Sequence, residues 1–247
     1  MKCYITTPLY YINAEPHIGH AYSTIAADVL ARFHRMRDED VFFLTGTDEH
    51  GQKIAEAARA SGLDPSAFTD RMSGVYADLW QDLDIRYDRF IRTTEKRHEE
   101  VVRKVFLRLL QQGDIYPADY RGFYCVPCES FVQPGTASGV SVCPDCGRTV
   151  EELSESSYFF RLSAYQERIV NHIAQHPSFI QPEFRRNEVL GFLNQPLRDI
   201  SFTRKSVTWG IPSPTPEGYP IYVWIDALIN YLSGISYLED DRTFDRY

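Results

Sequence analysis

No stretch of the 247 residues carries the ~18 consecutive apolar side chains that a membrane-spanning helix needs. The first residues, Met1-Lys2-Cys3-Tyr4, also lack the apolar core of a secretory signal. The expected compartment is therefore the cytoplasm, with no membrane partner. Positive charge is short as well: 26 Lys and Arg stand against 34 Asp and Glu, a net of −8. That balance excludes a broad basic surface for nucleic acid, so no DNA partner is expected and any RNA contact has to be local. No G-x-G-x-x-G follows the first predicted strand, which argues against a dinucleotide cofactor. Cysteine is scarce too, five in all, and four of the five fall between positions 125 and 146.

What is present is a globular chain. Apolar residues make up 43% and charged residues 24%, enough to bury a core in one large domain or two modest ones. Up to about residue 115, short apolar runs alternate with helical patterns. Lys2 to Thr7 reads as a strand, and Ile25, Ala26, Val29, Leu30 and Phe33 mark the apolar spacing of a helix. Val41 to Leu44 reads as a buried strand. Helical stretches at Lys53–Ala60 and Ala67–Leu83 follow, then a strand at Phe90–Arg92 and a long helix opened by Thr94. Strand and helix in alternation predict a parallel sheet with crossover helices, a Rossmann-like α/β fold.

The texture changes after Ile115, where tyrosines and phenylalanines are interleaved with proline, glycine and Cys125, Cys128, Cys143 and Cys146. Such material is too small to build its own core and suits a metal-stapled insert. Two C-x2-C knuckles in a reducing compartment fit one tetrahedral Zn²⁺ on four thiolates, closed and therefore structural. Pro127 and Gly147 suit the tight knuckle turns. Tyr158 opens a strand leading into a helix, and past the Pro-rich stretch from Ile211 to Pro220, Ile221 to Tyr231 reads as a strand running into a helix.

The densest site signal is Pro16-His17-Ile18-Gly19-His20, in the turn between the first strand and the first helix. A helix N-terminus there offers N–H groups to phosphate, two imidazoles can add donors, and Gly19 lets backbone and ligand approach. On the residues alone, two ordinary surface or core histidines or a metal pair remain open readings.

Taken with its surroundings, this string resembles the HIGH signature of class I aminoacyl-tRNA synthetases. The longer run from Ile5 to Ser23 (ITTPLYYINAEPHIGHAYS) is similar to the methionine-specific branch, the methionyl-tRNA synthetases. LTGTDEHGQKI (Leu44 to Ile54), GFYCVPCESF (Gly122 to Phe131) and YVWIDALINY (Tyr222 to Tyr231) agree in the same order, so the resemblance covers essentially the whole chain.

The resemblance implies that methionine is activated with ATP and Mg²⁺ to methionyl-adenylate and passed to tRNA(Met). It makes His17 and His20 the catalytic, phosphate-holding pair, with Gly19 in the ATP site, and Asp48 the anchor of the L-methionine ammonium. It assigns no contact with substrate to Glu49 and leaves His50 as a support of the loop. Leu9, Tyr11, Trp224, Ala227, Leu228 and Tyr231 match the methionine pocket; some family members carry Pro where Leu228 stands. Trp224, Ala227, Leu228 and Tyr231 share one helix face, a pattern that in isolation marks a core. The implied layout is a first Rossmann half at 1–115, a zinc-stapled connective-peptide insert at 116–210 and the start of a second half at 211–247. Arg121, Arg148, Arg161, Arg185 and Arg186 of the insert could meet RNA. Arg204-Lys205-Ser206 is not the family's KMSKS signature, which is missing together with the anticodon-binding domain, so weak or undetectable adenylate formation is expected of these residues alone. Another class I synthetase, or a non-catalytic zinc module that binds RNA, is the alternative.

Overall fold

Parallel strands from three separate segments meet at the centre of the amino-terminal half. The computed structural model describes residues 1–125, 128, 130–132, 142–144, 146–238 and 241–247, excepting the side chains of 120, 121, 130–132, 153–155, 241 and 242. Pro127 and the Arg121 side chain lie outside the described residues. In chain order the elements are β1 (Lys2–Thr6), β2 (Tyr10–Tyr11), α1 (Ile18–Met36), β3 (Asp40–Asp48), α2 (Gln52–Ala60), α3 (Pro65–Asp82), β4 (Arg89–Arg92) and α4 (Lys96–Gln112). There follow β5 (Ile115–Cys125), β6 (Ser130–Val132), β7 (Glu151–Phe160), α5 (Gln166–Gln175), α6 (Glu183–Leu193), β8 (Ile200–Ser201), α7 (Val223–Ser233) and α8 (Asp241–Arg246). They form two compact units, one of residues 1–107 with 204–247, the other of residues 108–203.

In the first unit β3 is central. β1 pairs parallel with its first half, from Lys2↔Asp40 to Thr6↔Leu44, and β2 with its end at Tyr10↔Thr47 and Tyr11↔Asp48. Pro8 interrupts the edge, but Thr7 N–H still donates to Leu44 C=O at 3.2 Å, so β1 and β2 act as one broken strand. β4 pairs parallel on the other side of β3. Phe43 belongs to a core with Ala27 and Ala31 of α1 and Met72, Tyr76 and Trp80 of α3, whereas Leu44 lies against Gly234 at the end of α7. Both faces of the sheet are thus covered, as parallel sheets require.

β3 runs four residues beyond its predicted end because Thr45, Gly46 and Thr47 are as buried as the apolar run before them. Their hydroxyls are satisfied internally: Thr45 Oγ1 lies 2.7 Å from Thr7 Oγ1. The extension carries Asp48 to the carboxyl end of the central strand. Helix α1 also differs from its apolar pattern. It packs inward through Thr24, Ala27, Asp28 and Ala31, small or hydrogen-bonded residues that allow close approach to the sheet, while Ile25, Val29, Leu30 and Phe33 face outward. The strand read at Ile221 is not formed. Pro212 and Pro220 meet only as an isolated bridge, since proline cannot donate to a ladder.

The second unit is an antiparallel sheet in the order β6-β5-β7-β8, with β5 and β7 paired over ten residues from Ile115↔Phe160 to Tyr124↔Glu151. Its β5 ends on Cys125, which places the first knuckle at the tip of the hairpin.

Candidate active site

His17 is the N-cap of α1, with extended backbone angles, and the cap is built from imidazoles. His17 Nδ1 accepts the Gly19 N–H at 3.1 Å, and His20 Nδ1 accepts the His17 N–H at 3.2 Å. The arrangement has the reciprocal logic of a capping box, with ring nitrogens in place of hydroxyl and carboxylate. Because each Nδ1 is an acceptor, each neutral ring carries its proton on Nε2, leaving two Nε2–H donors beside the N-terminus of a nineteen-residue helix. The rings stack with centroids 3.7 Å apart. Gly19 is required by this geometry, since a Cβ there would come within 2.9 Å of His17 Cε1. The missing side chain makes room for the His17 imidazole.

His20 is steadied from below. Tyr76 Oη lies 3.3 Å from its Nδ1, and the Tyr10 ring packs against it at 4.9 Å, with the Tyr10 hydroxyl 2.6 Å from Thr24 Oγ1. Burial, and then the neighbouring His17, hold the His20 pKa below the ordinary 6.5. The neutral form is favoured by the fold, so the stability this site contributes is present above pH 6.5 and is lost as pH falls below it. Two-bond ¹⁵N–¹H NMR at pH 7.5 is expected to show the Nε2–H tautomer for both histidines, with His20 titrating below 6.5. An Nδ1–H tautomer would contradict the cap geometry.

Asp48 ends β3 opposite Tyr11, and its C=O accepts the Ile12 N–H at 3.4 Å. The next two residues hold that strand end in place. Glu49 is completely buried, and its carboxylate takes Arg92 through two bonds of 2.7 and 2.8 Å and Thr47 Oγ1 at 2.6 Å, with Thr94 as a further donor. Every acceptor of Glu49 faces protein, which makes it structural. His50 supports the loop as expected, and it does so through Asp226 of α7, 2.7 Å away. Burial pushes the His50 pKa down, but Asp226, with Glu99 and Glu49 beyond it, outweighs burial and the net direction is up.

The four α7 residues singled out by spacing are not core. Trp224 is 61% and Leu228 60% exposed, Ala227 and Tyr231 are half-buried, and the helix buries Val223, Asp226, Ile229, Asn230 and Ser233 instead. Tyr231 C=O accepts the Tyr4 hydroxyl at 2.8 Å, which ties this helix to β1. Leu9, just before β2, and Tyr11, its second residue, are both half-buried. His17, His20, Asp48, Leu9, Tyr11 and the α7 face thus all belong to the first unit. Sequence reading missed Asp226 and His98, whose buried contacts join segments 128 residues apart and leave no local signal.

In the second unit the sulfurs of Cys125, Cys128, Cys143 and Cys146 all lie within 4.8 Å of one another. Cys125 and Cys146 are 3.5 Å apart and Cys128 and Cys143 3.9 Å, too far for disulfides. Tetrahedral zinc with ~2.3 Å bonds sets its sulfurs ~3.8 Å apart, so the donor set fits that ion. Gly147 adopts φ +69° at the second knuckle, a turn that favours glycine. Among the insert arginines, Arg185 pairs with Glu188 and Arg186 with Glu183 on the same helix, and Arg161 sits 4.6 Å over the Tyr116 ring.

A parallel sheet whose first helix opens on a HIGH turn at the strands' carboxyl ends is the hallmark of class I aminoacyl-tRNA synthetases. The chain matches the family described as tRNA synthetases class I (M) over residues 3–247, and it belongs to that family. It is 50% identical to the methionine–tRNA ligase of Caldanaerobacter subterraneus subsp. tengcongensis over 99% of its own length and 38% of that protein's. The Thermotoga maritima methionine–tRNA ligase is 46% identical and 40% covered. The crystal structure of Mycobacterium tuberculosis methionyl-tRNA synthetase bound by methionyl-adenylate superposes with a TM-score of 0.93 at 43% identity, covering this whole chain and 50% of that one. The chain therefore spans about two-fifths to one half of the relatives it matches.

Proposed function

We propose that this chain is the methionine-activating part of a methionine–tRNA ligase. The observation that carries the reading is the imidazole cap of α1, two Nε2–H donors held at a helix N-terminus. In the proposed reaction a carboxylate oxygen of L-methionine attacks the α-phosphorus of ATP, and the bond to pyrophosphate breaks. His17 and His20 donate to phosphate oxygens as charge shifts onto the departing pyrophosphate, with Gly19 allowing close approach. Asp48 receives the substrate ammonium. Leu9, Tyr11, Trp224, Ala227, Leu228 and Tyr231 enclose the thioether side chain, where aromatic edges against sulfur add ~0.3–1.5 kcal/mol each. The terminal adenosine hydroxyl of tRNA(Met) then takes the methionyl group, and AMP leaves.

Mg²⁺ travels with ATP, and Zn²⁺ on the four thiolates shapes the insert. Residues 1–115 and 211–247 serve as the Rossmann parts and 116–210 as the connective peptide. A cytoplasmic setting follows from this role.

ATP–pyrophosphate exchange by the full-length protein tests the reading. Exchange should require methionine and be indifferent to leucine, isoleucine, valine and cysteine. RNA binding that survives the loss of both histidines, without exchange, would instead support a non-catalytic zinc module. Asp48→Asn is expected to raise KM for methionine roughly ten- to a hundredfold, the worth of one charge-assisted contact at ~1.5–3 kcal/mol. An unchanged KM would remove Asp48 from the site.

A further inference from the structure

One cluster of buried titratable groups has no part in the proposed chemistry. Asp226, on the inner face of α7, is fully buried, and its two oxygens meet different histidines: His50 Nδ1 and His98 Nε2, each at 2.7 Å. His98, from α4, is itself fully buried, and its Nδ1 lies 2.7 Å from Ser233 Oγ. Asp226 and Ser233 are two turns apart on α7, so the one imidazole grips the helix at both points. The protons follow from the partners. His98 donates Nε2–H to the carboxylate and accepts the serine hydroxyl at Nδ1, while His50 donates Nδ1–H. His50 also stands two residues after Asp48, so the same carboxylate joins α7 to the end of β3.

The opposite face of α7 carries Trp224, Ala227, Leu228 and Tyr231. A rotation of about 20° would move side-chain tips, ~5 Å from the axis, by roughly 2 Å. A misplacement of about 1 Å is already enough to cost a hundredfold in a positioned reaction.

We propose that Asp226 is a positioning residue for amino-acid selection: through His50 and His98 it sets the rotation and depth of α7, and so the place of the wall that meets the substrate side chain. This rests on the reading of those four residues as the methionine-facing wall.

The test is ATP–pyrophosphate exchange by the full-length protein with methionine and ATP varied separately. Asp226→Ala should raise KM for methionine about tenfold or more and narrow the preference for methionine over leucine, with KM for ATP within about twofold. Asp226→Asn can accept from one imidazole and donate to the other after a tautomer change, so it should stay within about threefold of the native enzyme. Ser233→Ala, which loosens only the far grip, should raise KM for methionine about threefold, and it decides the matter if Asp226→Ala does not fold. Equal rises in both KM values, or no change in KM for methionine, would overturn the proposal. A native protein without methionine-dependent exchange would overturn the functional reading itself, a separate result.

Discussion

Replacing His20 with alanine is expected to slow adenylate formation about a hundred- to a thousandfold, the usual cost of one donor aimed at developing charge. KM for ATP should change little, because a donor that acts mainly as charge develops on the departing pyrophosphate stabilises the transition state more than the bound ground state. The variant should remain folded. His20 contributes half of the α1 cap, and loss of a cap costs about 1 kcal/mol, small against a fold with Trp80, Tyr76 and Phe43 fully buried. His17→Ala should act in the same direction. The double variant should fall short of the product of the two, since the rings stack and His20 Nδ1 accepts the backbone N–H of His17. Rapid-quench measurement of the first turnover separates this from a binding effect. A large rise in KM for ATP at constant rate would place the histidines in ground-state binding only.

The parts of this site that could be read from sequence are those written in a few adjacent letters. His17, Gly19 and His20 lie within one turn, and their chemistry depends on their own spacing. The cysteine quartet is similar, since two knuckles imply a shared ion wherever the intervening residues run. The sheet was legible where β3 is apolar and illegible from Thr45 onward, because burial there is met by hydroxyl pairing rather than by hydrophobicity. Periodicity located α1 and pointed its apolar stripe to the wrong side. Ala27 and Ala31 face the core because a helix lying close on a sheet needs small residues, a preference that a hydrophobic pattern ranks low. α6 escaped altogether, as its apolar residues follow no helical stripe and Phe184 and Phe192 are exposed. The His50–Asp226–His98 bridge was hidden for a different reason. It is a product of topology, formed only when α4, α7 and the end of β3 converge.

Removing the metal from the cysteine quartet is expected to undo the tip of the second unit while sparing the first. The buried cluster around the quartet is Cys125, Cys143 and Val150, with Phe123 and Cys128 packed against it. A few such side chains supply about 1.5–3 kcal/mol each at most. Ordering about a dozen residues costs about 1–2 kcal/mol apiece, so burial alone does not hold the knuckles. A structural zinc site contributes about 10–16 kcal/mol in small domains, which is the scale needed to close that gap. Chelation should therefore release one zinc per chain, make four thiols reactive to Ellman's reagent and make the second unit more sensitive to limited proteolysis. Cys125→Ser should do the same without chelator, because that thiolate also ends β5. Adenylate formation should persist, since His17, His20 and Asp48 belong to the first unit, while transfer to tRNA falls. Four thiols already reactive in the untreated protein, or an absence of zinc by elemental analysis, would show that the quartet holds no such ion. Loss of adenylate formation together with the metal would show that the tip of the insert supports the activation chemistry, although the groups proposed for it belong to the other unit.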